Sequence, residues 1–230
     1  MNFRQALIVG SAPVGHHFEH YAMLIRATDM LIAADGGVNL CLAAGRVPDV
    51  CVGDFDSTAP ETLERAAALG AEIRRFPVSK DVSDLDLALD VAREAHVGRV
   101  SFIAAFSGRL DHTLAGLGTL LGAADLDATA DEGDWMAFAL DATSRCELDL
   151  AEQPGTVISV MAVGDGARVS IGGVAYPLAD HQLLPLSSLG LSNVAVEPAQ
   201  RVAVSAGRAI VIANRATEAR IATVRPPQSR

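Results

Sequence analysis

The sequence predicts an α/β fold with two domains: a doubly wound, mainly parallel sheet in residues 1–141, and an all-β sandwich in residues 142–230. Two observations carry this prediction. In the first part, short apolar runs alternate with segments of helical periodicity. In the second, β-branched runs are separated by Gly, Pro, Asp and Ser with no long helical pattern. The first pattern is that of a Rossmann-like domain.

Five apolar runs are the candidate strands of the first domain, with helix-like segments between them. They cover residues 6–9, 30–34, 50–52, 72–76 and 100–105. Because ligands of such sheets bind at the carboxyl ends of the strands, the loops that follow these runs are the first place to look for a site.

The second domain contains four candidate strands. They cover residues 156–163, 168–171, 201–204 and 209–212. The segments between them contain Gly, Pro, Asp and Ser and no long helical pattern, which favours an antiparallel sandwich.

Composition limits the class of protein. Half of the 230 residues are apolar and a fifth are charged, so the chain can bury a sizeable core. The formal net charge of -10 disfavours nonspecific electrostatic binding to nucleic acid or to an anionic membrane surface. Cys41, Cys51 and Cys146 have no C-x-x-C spacing, and no apolar stretch reaches the length of a membrane span. We therefore expect a cytoplasmic protein.

Four acidic loops each follow a predicted strand. They are Asp35-Gly36-Gly37, the segment from Gly53 to Ser57, the segment from Lys80 to Asp84, and Arg109-Leu110-Asp111-His112. In a parallel sheet these loops open onto one rim, so their side chains can converge on a single site.

The second loop carries two carboxylates, Asp54 and Asp56, at a spacing that points both to one side of an extended backbone. This arrangement suits a shared hard cation, and Gly53 leaves room for a ligand. The alternative is a turn that caps the next helix. Thr58 and Glu61, however, match a capping box of their own, so we predict that they supply the cap.

The third loop divides into structural and functional residues. Ser83 and Asp86 match a capping box, so we predict a structural role for Asp86. Lys80 can contact phosphate, and Asp81 and Asp84 can hold Mg²⁺. A solvated cluster of ion pairs is the alternative for this loop.

The first and fourth loops offer groups for a nucleotide. Gly36 and Gly37 permit close backbone contact, and Arg109 has the fork geometry that suits phosphate oxygens. Asp111 can cap a helix that begins near His112, and for His112 we favour a capping or packed role. The sequence has neither a G-x-x-x-x-G-K-[ST] loop nor a G-x-G-x-x-G fingerprint, so metal and carboxylates would hold a nucleotide.

Four motifs, in order, resemble those of the thiamine pyrophosphokinases. They read AADGG, PDVCVGDFDS, FPVSKDVSDLDLAL and SGRLDHTL, and the later YPL and SSLGLSN resemble the thiamine-side motifs of that family. Together they extend over nearly the whole chain. Ser107 and Gly116 depart from the family, which usually has glycine at the first position and often asparagine at the second.

The resemblance implies a homodimeric enzyme that converts thiamine and ATP to thiamine diphosphate and AMP. It implies a Mg²⁺ site at Asp54, Asp56 and Asp84. The other catalytic residues that it implies are Lys80, Asp81 and Arg109, and those on the nucleotide side are Asp35, Gly36, Gly37, Ser57, Asp111 and His112. Ser192 and Asn193 would lie near thiamine.

Three questions stay open at this point. One aspartate would accept the proton of the substrate hydroxyl, but several could do so. A pyrophosphokinase acting on another alcohol, such as a hydroxymethyl pterin, would share the carboxylates of the first domain. A noncatalytic sensor of nucleotide or thiamine would also retain them.

Overall fold

The computed structural model describes residues 5–79, 81–106 and 109–215 of the protein. The chain divides into two compact units, the first ending at Gly133 and the second starting at Asp134. The predicted domain boundary, between residues 141 and 142, lies further along the chain at the end of the first strand of the second unit.

The first unit is built on a parallel sheet. Its strands are β1 (Gln5–Val9), β2 (Met30–Ala34), β3 (Val50–Gly53), β4 (Glu72–Arg75), β5 (Arg99–Ile103) and β6 (Thr129–Asp131). The strand order is β6-β5-β1-β2-β3-β4, with all neighbours parallel. This confirms the predicted fold class, and only the short β6 was absent from the predicted strands.

Five helices connect these strands. They are α1 (Phe18–Ala27), α2 (Gly37–Ala43), α3 (Pro60–Ala68), α4 (Asp84–Glu94) and α5 (Leu110–Gly122). Every residue of β2 is buried, as expected of a central parallel strand covered on both faces. The edge strand β4 has no fully buried residue. No helix in the described ranges is both long and apolar enough to cross a membrane.

The two predicted capping boxes have different outcomes. The box at α4 is confirmed: the Ser83 hydroxyl accepts a hydrogen bond from the Asp86 amide, and the Asp86 carboxylate accepts one from the Ser83 amide, both at 3.2 Å. The predicted box at Thr58 and Glu61 is wrong. Helix α3 begins at Pro60 with no side-chain cap, because the fixed φ of a proline at the first helical position already suits the helix.

The second unit is an antiparallel β structure. Its strands are β7 (Trp135–Asp141), β8 (Glu147–Leu150), β9 (Val157–Gly172), β10 (Leu178–Leu183), β11 (Asn193–Val194) and β12 (Gln200–Asn214). The sheet order is β10-β9-β12-β7, with β8 paired to β12 and β11 to β9. This unit has the predicted class, but the four predicted runs form two long strands.

Glycines explain how each long strand continues through the segment that separates two of the predicted runs. Gly164 and Gly166 in β9 and Gly207 in β12 have positive φ, and the β9–β12 pairing shifts register next to Gly207. A Cβ on Gly207 would lie 2.1 Å from the carbonyl oxygen of Gly166. Residues before and after these positions pack into one hydrophobic core, as expected when a sheet folds over itself into a sandwich.

Candidate active site

A pocket of about 690 Å³ opens at the carboxyl ends of the strands of the first unit. It is lined by residues from the loops that follow β1 to β5 and from the starts of α4 and α5. The polar or charged lining residues are Ser11, Asp35, Asp54, Asp56, Ser57, Ser83, Asp84, Arg109, Asp111 and His112. The structure thus brings the four acidic loops to one pocket.

Three carboxylates form a tight group in this pocket. Asp35, Asp54 and Asp56 each offer an oxygen, and these oxygens lie within 4.8 Å of one another. Asp35 Oδ2 accepts a hydrogen bond of 2.5 Å from the Ser57 hydroxyl. The other oxygen, Oδ1, is buried and has no hydrogen-bond partner among the described residues. A buried carboxylate oxygen without a donor is costly, and a divalent cation would satisfy it.

Asp84 lies near this group because of a glycine. It is the first residue of α4 and lines the pocket. A Cβ on Gly53, at φ +149°, would lie 3.1 Å from Asp84 Oδ1 and 3.2 Å from the Asp35 Cα atom. The space that we expected a ligand to use at Gly53 is therefore taken by Asp84 and the Asp35 backbone. Whereas the resemblance implied Asp84 as the third metal ligand, the structure groups Asp35 with Asp54 and Asp56.

Three strand-end loops contain a non-glycine residue with positive φ. These residues are Asp35 after β2 at +46°, Phe55 after β3 at +60°, and Ala104 after β5 at +47°. Such conformations are disfavoured for residues with a Cβ, and they persist where the surrounding structure holds them. Their presence in three loops next to one pocket is typical of a functional site.

Arg109 and Asp111 also line the pocket and form an ion pair of 2.7 Å. The hydrogen bond from Arg109, followed by one from the His112 amide, lowers the pKa of Asp111 to about 2. Asp111 is therefore ionised at neutral pH. The predicted capping role of Asp111 is not observed, because α5 begins at Leu110 and places Asp111 in its first turn.

Three of the site residues predicted in the acidic loops do not line the pocket. Asp81 is exposed and does not line the pocket, and Lys80 lies outside the described residues. Gly36 and Gly37 do not line it either. A Cβ on Gly37 would lie 2.1 Å from the Val9 carbonyl oxygen, so this glycine allows α2 to approach β1 closely.

Glu132 is a buried carboxylate that the sequence did not single out. Its Oε1 accepts a hydrogen bond of 2.9 Å from the amide of Ala105, which lines the pocket, and its Oε2 accepts one of 3.0 Å from the Tyr21 hydroxyl. Burial is the main cause that raises its pKa to about 7. Glu132 directly follows β6, so recognising that strand would have drawn attention to it.

Comparison with known proteins identifies the family. The family model "Thiamin pyrophosphokinase, catalytic domain" matches residues 21–130, and "Thiamin pyrophosphokinase, vitamin B1 binding domain" matches residues 145–211. The chain belongs to the thiamin pyrophosphokinase family. The resemblance drawn from the motifs is thereby confirmed.

Individual members of the thiamin pyrophosphokinase family agree with this assignment. The thiamine pyrophosphokinase of Bacillus subtilis (strain 168) is 34% identical over 86 residues, which cover 37% of this chain and 40% of that protein. A crystal structure of thiamine pyrophosphokinase from Bacillus subtilis has a TM-score of 0.78 at 23% identity and covers 93% of this chain and 100% of its own. That from Candida albicans scores 0.77 at 14% identity, with coverages of 93% and 89%. These structural matches show the fold.

The part matched by the vitamin B1 binding model contains Ser192 and Asn193. The buried Asn193 side chain accepts a hydrogen bond of 2.9 Å from the Tyr176 amide and donates one of 2.6 Å to the Tyr176 carbonyl. It therefore holds the neighbouring loop in place. Ser192 is exposed and has a φ of +56°.

Proposed function

We propose that this protein is a thiamine pyrophosphokinase, which transfers pyrophosphate from ATP to the hydroxyl of thiamine and releases thiamine diphosphate and AMP. The observation that carries the proposal is the group formed by Asp35, Asp54 and Asp56 at the strand ends of the catalytic domain. Its buried oxygen Asp35 Oδ1, which has no hydrogen-bond partner among the described residues, suits a cation that accompanies a polyphosphate.

Mg²⁺ fits this donor set because it prefers carboxylate oxygens and is commonly shared between carboxylates and phosphates. Asp35, Asp54 and Asp56 would hold it, and Asp84 lines the same pocket. When bound, Mg²⁺ would neutralise part of the negative charge of the polyphosphate. This role resolves the apparent conflict between an acidic pocket and an anionic substrate.

The remaining residues would position and stabilise the reacting groups. The thiamine hydroxyl oxygen attacks the β-phosphorus of ATP, the bond from this phosphorus to the α–β bridging oxygen breaks, and AMP leaves with that oxygen. A pocket carboxylate accepts the hydroxyl proton. Arg109 and Lys80 would offset charge on the transferred group, and Asp81 belongs to the same loop as Lys80. The residues on the nucleotide side would be Ser57, Asp111 and His112.

We also infer a homodimer, with Ser192 and Asn193 on the thiamine side. Large apolar side chains are exposed in the second unit between residues 176 and 196, where a partner chain would cover them. They are Tyr176, Leu184, Leu186, Leu189, Leu191 and Val196.

The compartment that we propose is the cytoplasm, where ATP is available.

The decisive experiment incubates purified protein with ATP, Mg²⁺ and thiamine and quantifies AMP and thiamine diphosphate together. We expect equal amounts of the two products and no product when EDTA removes the metal. ADP in place of AMP would contradict the transfer of pyrophosphate.

Two alternatives predict different results in the same assay. A pyrophosphokinase of another alcohol would release AMP with a hydroxymethyl pterin and not with thiamine. A sensor would bind ATP, measured by calorimetry, without releasing AMP with either alcohol.

A further inference from the structure

Arg75 contacts the turn that carries Asp54 and Asp56. It is the last residue of β4 and lies opposite Gly53 in the β3–β4 pairing. One terminal nitrogen of its guanidinium donates a hydrogen bond of 3.0 Å to the Asp54 carbonyl oxygen. Its guanidinium carbon lies 5.2 Å from the centroid of the Phe55 ring, within the range of a cation–π contact.

The turn needs such contacts because its backbone is strained. Phe55 adopts a φ of +60°, and the residue is only 5% exposed. The Asp56 amide donates a hydrogen bond of 3.2 Å to Asp54 Oδ1, so the orientations of the two carboxylates depend on the shape of this turn. A residue that holds the Asp54 carbonyl group and the Phe55 ring in place therefore also fixes the orientations of the two carboxylates.

We propose that Arg75 is a positioning residue that holds residues 54–57 in the conformation in which Asp54 and Asp56 bind a divalent cation. This inference deepens the proposed function and rests on its metal site. The planar guanidinium suits the role better than an ammonium group, because it stacks on a ring and donates a directed hydrogen bond at the same time. An ammonium group keeps the charge but lacks the planar fork.

The neighbouring arginine provides a matched control. Arg74 precedes Arg75 in the same strand, so the two side chains leave opposite faces of the sheet. Arg74 forms ion pairs with Glu72 at 2.7 Å and with Glu94 at 2.5 Å. It belongs to no described contact with the turn at residues 54–57.

The test compares Arg75→Ala, Arg75→Lys and Arg74→Ala by two measurements that need no turnover. Hydrogen–deuterium exchange of the metal-free proteins reports on the turn, and calorimetric titration with Mn²⁺ reports on the cation site. In Arg75→Ala, we expect the amides of residues 54–58 to exchange about tenfold faster and the Mn²⁺ affinity to fall about tenfold. Changes of this size correspond to the loss of a hydrogen bond and a cation–π contact. Arg75→Lys should lie between this variant and the wild type, and Arg74→Ala should match the wild type in both.

Unchanged exchange in Arg75→Ala would overturn the proposal, and so would faster exchange with unchanged Mn²⁺ affinity. Equal effects of Arg74→Ala would also overturn it, because they would indicate a general loosening of β4. A wild-type protein that binds no Mn²⁺ would refute the metal site of the proposed function, and exchange at residues 54–58 would then decide alone whether Arg75 holds the turn.

Discussion

At the scale of the residue, the site depends on carboxylates that the fold places in unlike environments. Asp56 is exposed, Asp35 has one buried oxygen without a hydrogen-bond partner among the described residues, and Glu132 is buried with donors on both oxygens. Because the cost of an ionised carboxylate depends on its donors and its burial, these three side chains differ in the energy of ionisation despite similar chemistry.

The exposed position of Asp56 allows its function to be tested without disturbing the fold. Asp56→Asn removes a carboxylate from the metal group, so we expect kcat for thiamine diphosphate formation to fall at least about 100-fold. The melting temperature should change by less than about 2 °C, since the side chain is not part of the core. Asp149→Asn is the control, because Asp149 lies in β8 and its side chain is 77% exposed. A near-normal rate in Asp56→Asn would refute this assignment.

Glu132 makes stability depend on pH. Burial raises its pKa from 4.5 to about 7, so the folded state binds the proton more tightly than the unfolded state. Its contribution to stability is therefore complete below about pH 4.5 and declines as the pH rises toward 7. Glutamine resembles the protonated form and can contact both the Ala105 amide and the Tyr21 hydroxyl.

We therefore expect Glu132→Gln to become more stable relative to the wild type as the pH rises. Between pH 5 and pH 8, the difference in unfolding free energy should move in favour of the variant by about 2 kcal/mol. Urea denaturation at the two pH values measures this difference, and all other titrating groups are common to both proteins. A difference that stays constant with pH would show that Glu132 is already ionised at pH 5.

At the scale of the element, helix starts and strand bends are set by different kinds of residue. Helix α4 begins with a reciprocal capping box, whereas α3 begins with a proline and no side-chain cap. In the second unit, Gly166 and Gly207 allow β9 and β12 to bend while they stay paired. Side-chain caps and prolines thus define where these helices begin, whereas glycines define where these strands bend.

The two helix starts can be compared directly. Ser83→Ala removes an observed cap and should lower the unfolding free energy by about 1 kcal/mol. Thr58→Val should be neutral or stabilising, because the Thr58 hydroxyl is buried and has no hydrogen-bond partner among the described residues. Chemical denaturation of both variants measures the difference. A larger loss for Thr58→Val than for Ser83→Ala would contradict the observed helix start.

At the scale of the whole molecule, the acidic chain and its exposed apolar residues limit what it can bind. A net charge of -10 favours a cation as the intermediary for any polyphosphate. The apolar side chains between residues 176 and 196 favour a protein partner, and a second copy of the chain is the one that we propose.

The homodimer has a direct test. Light scattering after gel filtration should give a mass of about 48 kDa, twice the 23.9 kDa of one chain. A Leu186→Ser, Leu189→Ser double variant should shift toward the monomer, because the partner would no longer bury these side chains. The variant Leu69→Ser, at an exposed leucine of the first unit, is the control. A monomeric wild type would refute the dimer.

The sequence by itself determined the strands of the first unit except β6, the class of the second unit and the meeting of the four acidic loops. Hydrophobic periodicity reports burial directly, and the carboxyl ends of parallel strands share one rim. The motifs also identified the family, which both family models bear out. The site residues implied by those motifs stay predictions, and the Asp56→Asn variant tests one of them.

Only the tertiary structure decided which groups share an environment. It grouped Asp35 with Asp54 and Asp56, buried Glu132 behind the loop at Ala105, and brought Arg75 to the turn that carries Asp54 and Asp56. These relations join residues that are distant in the chain. Spacing along a sequence carries local periodicity, whereas burial and hydrogen-bond partners depend on the packing of separate elements, so local spacing did not specify these contacts.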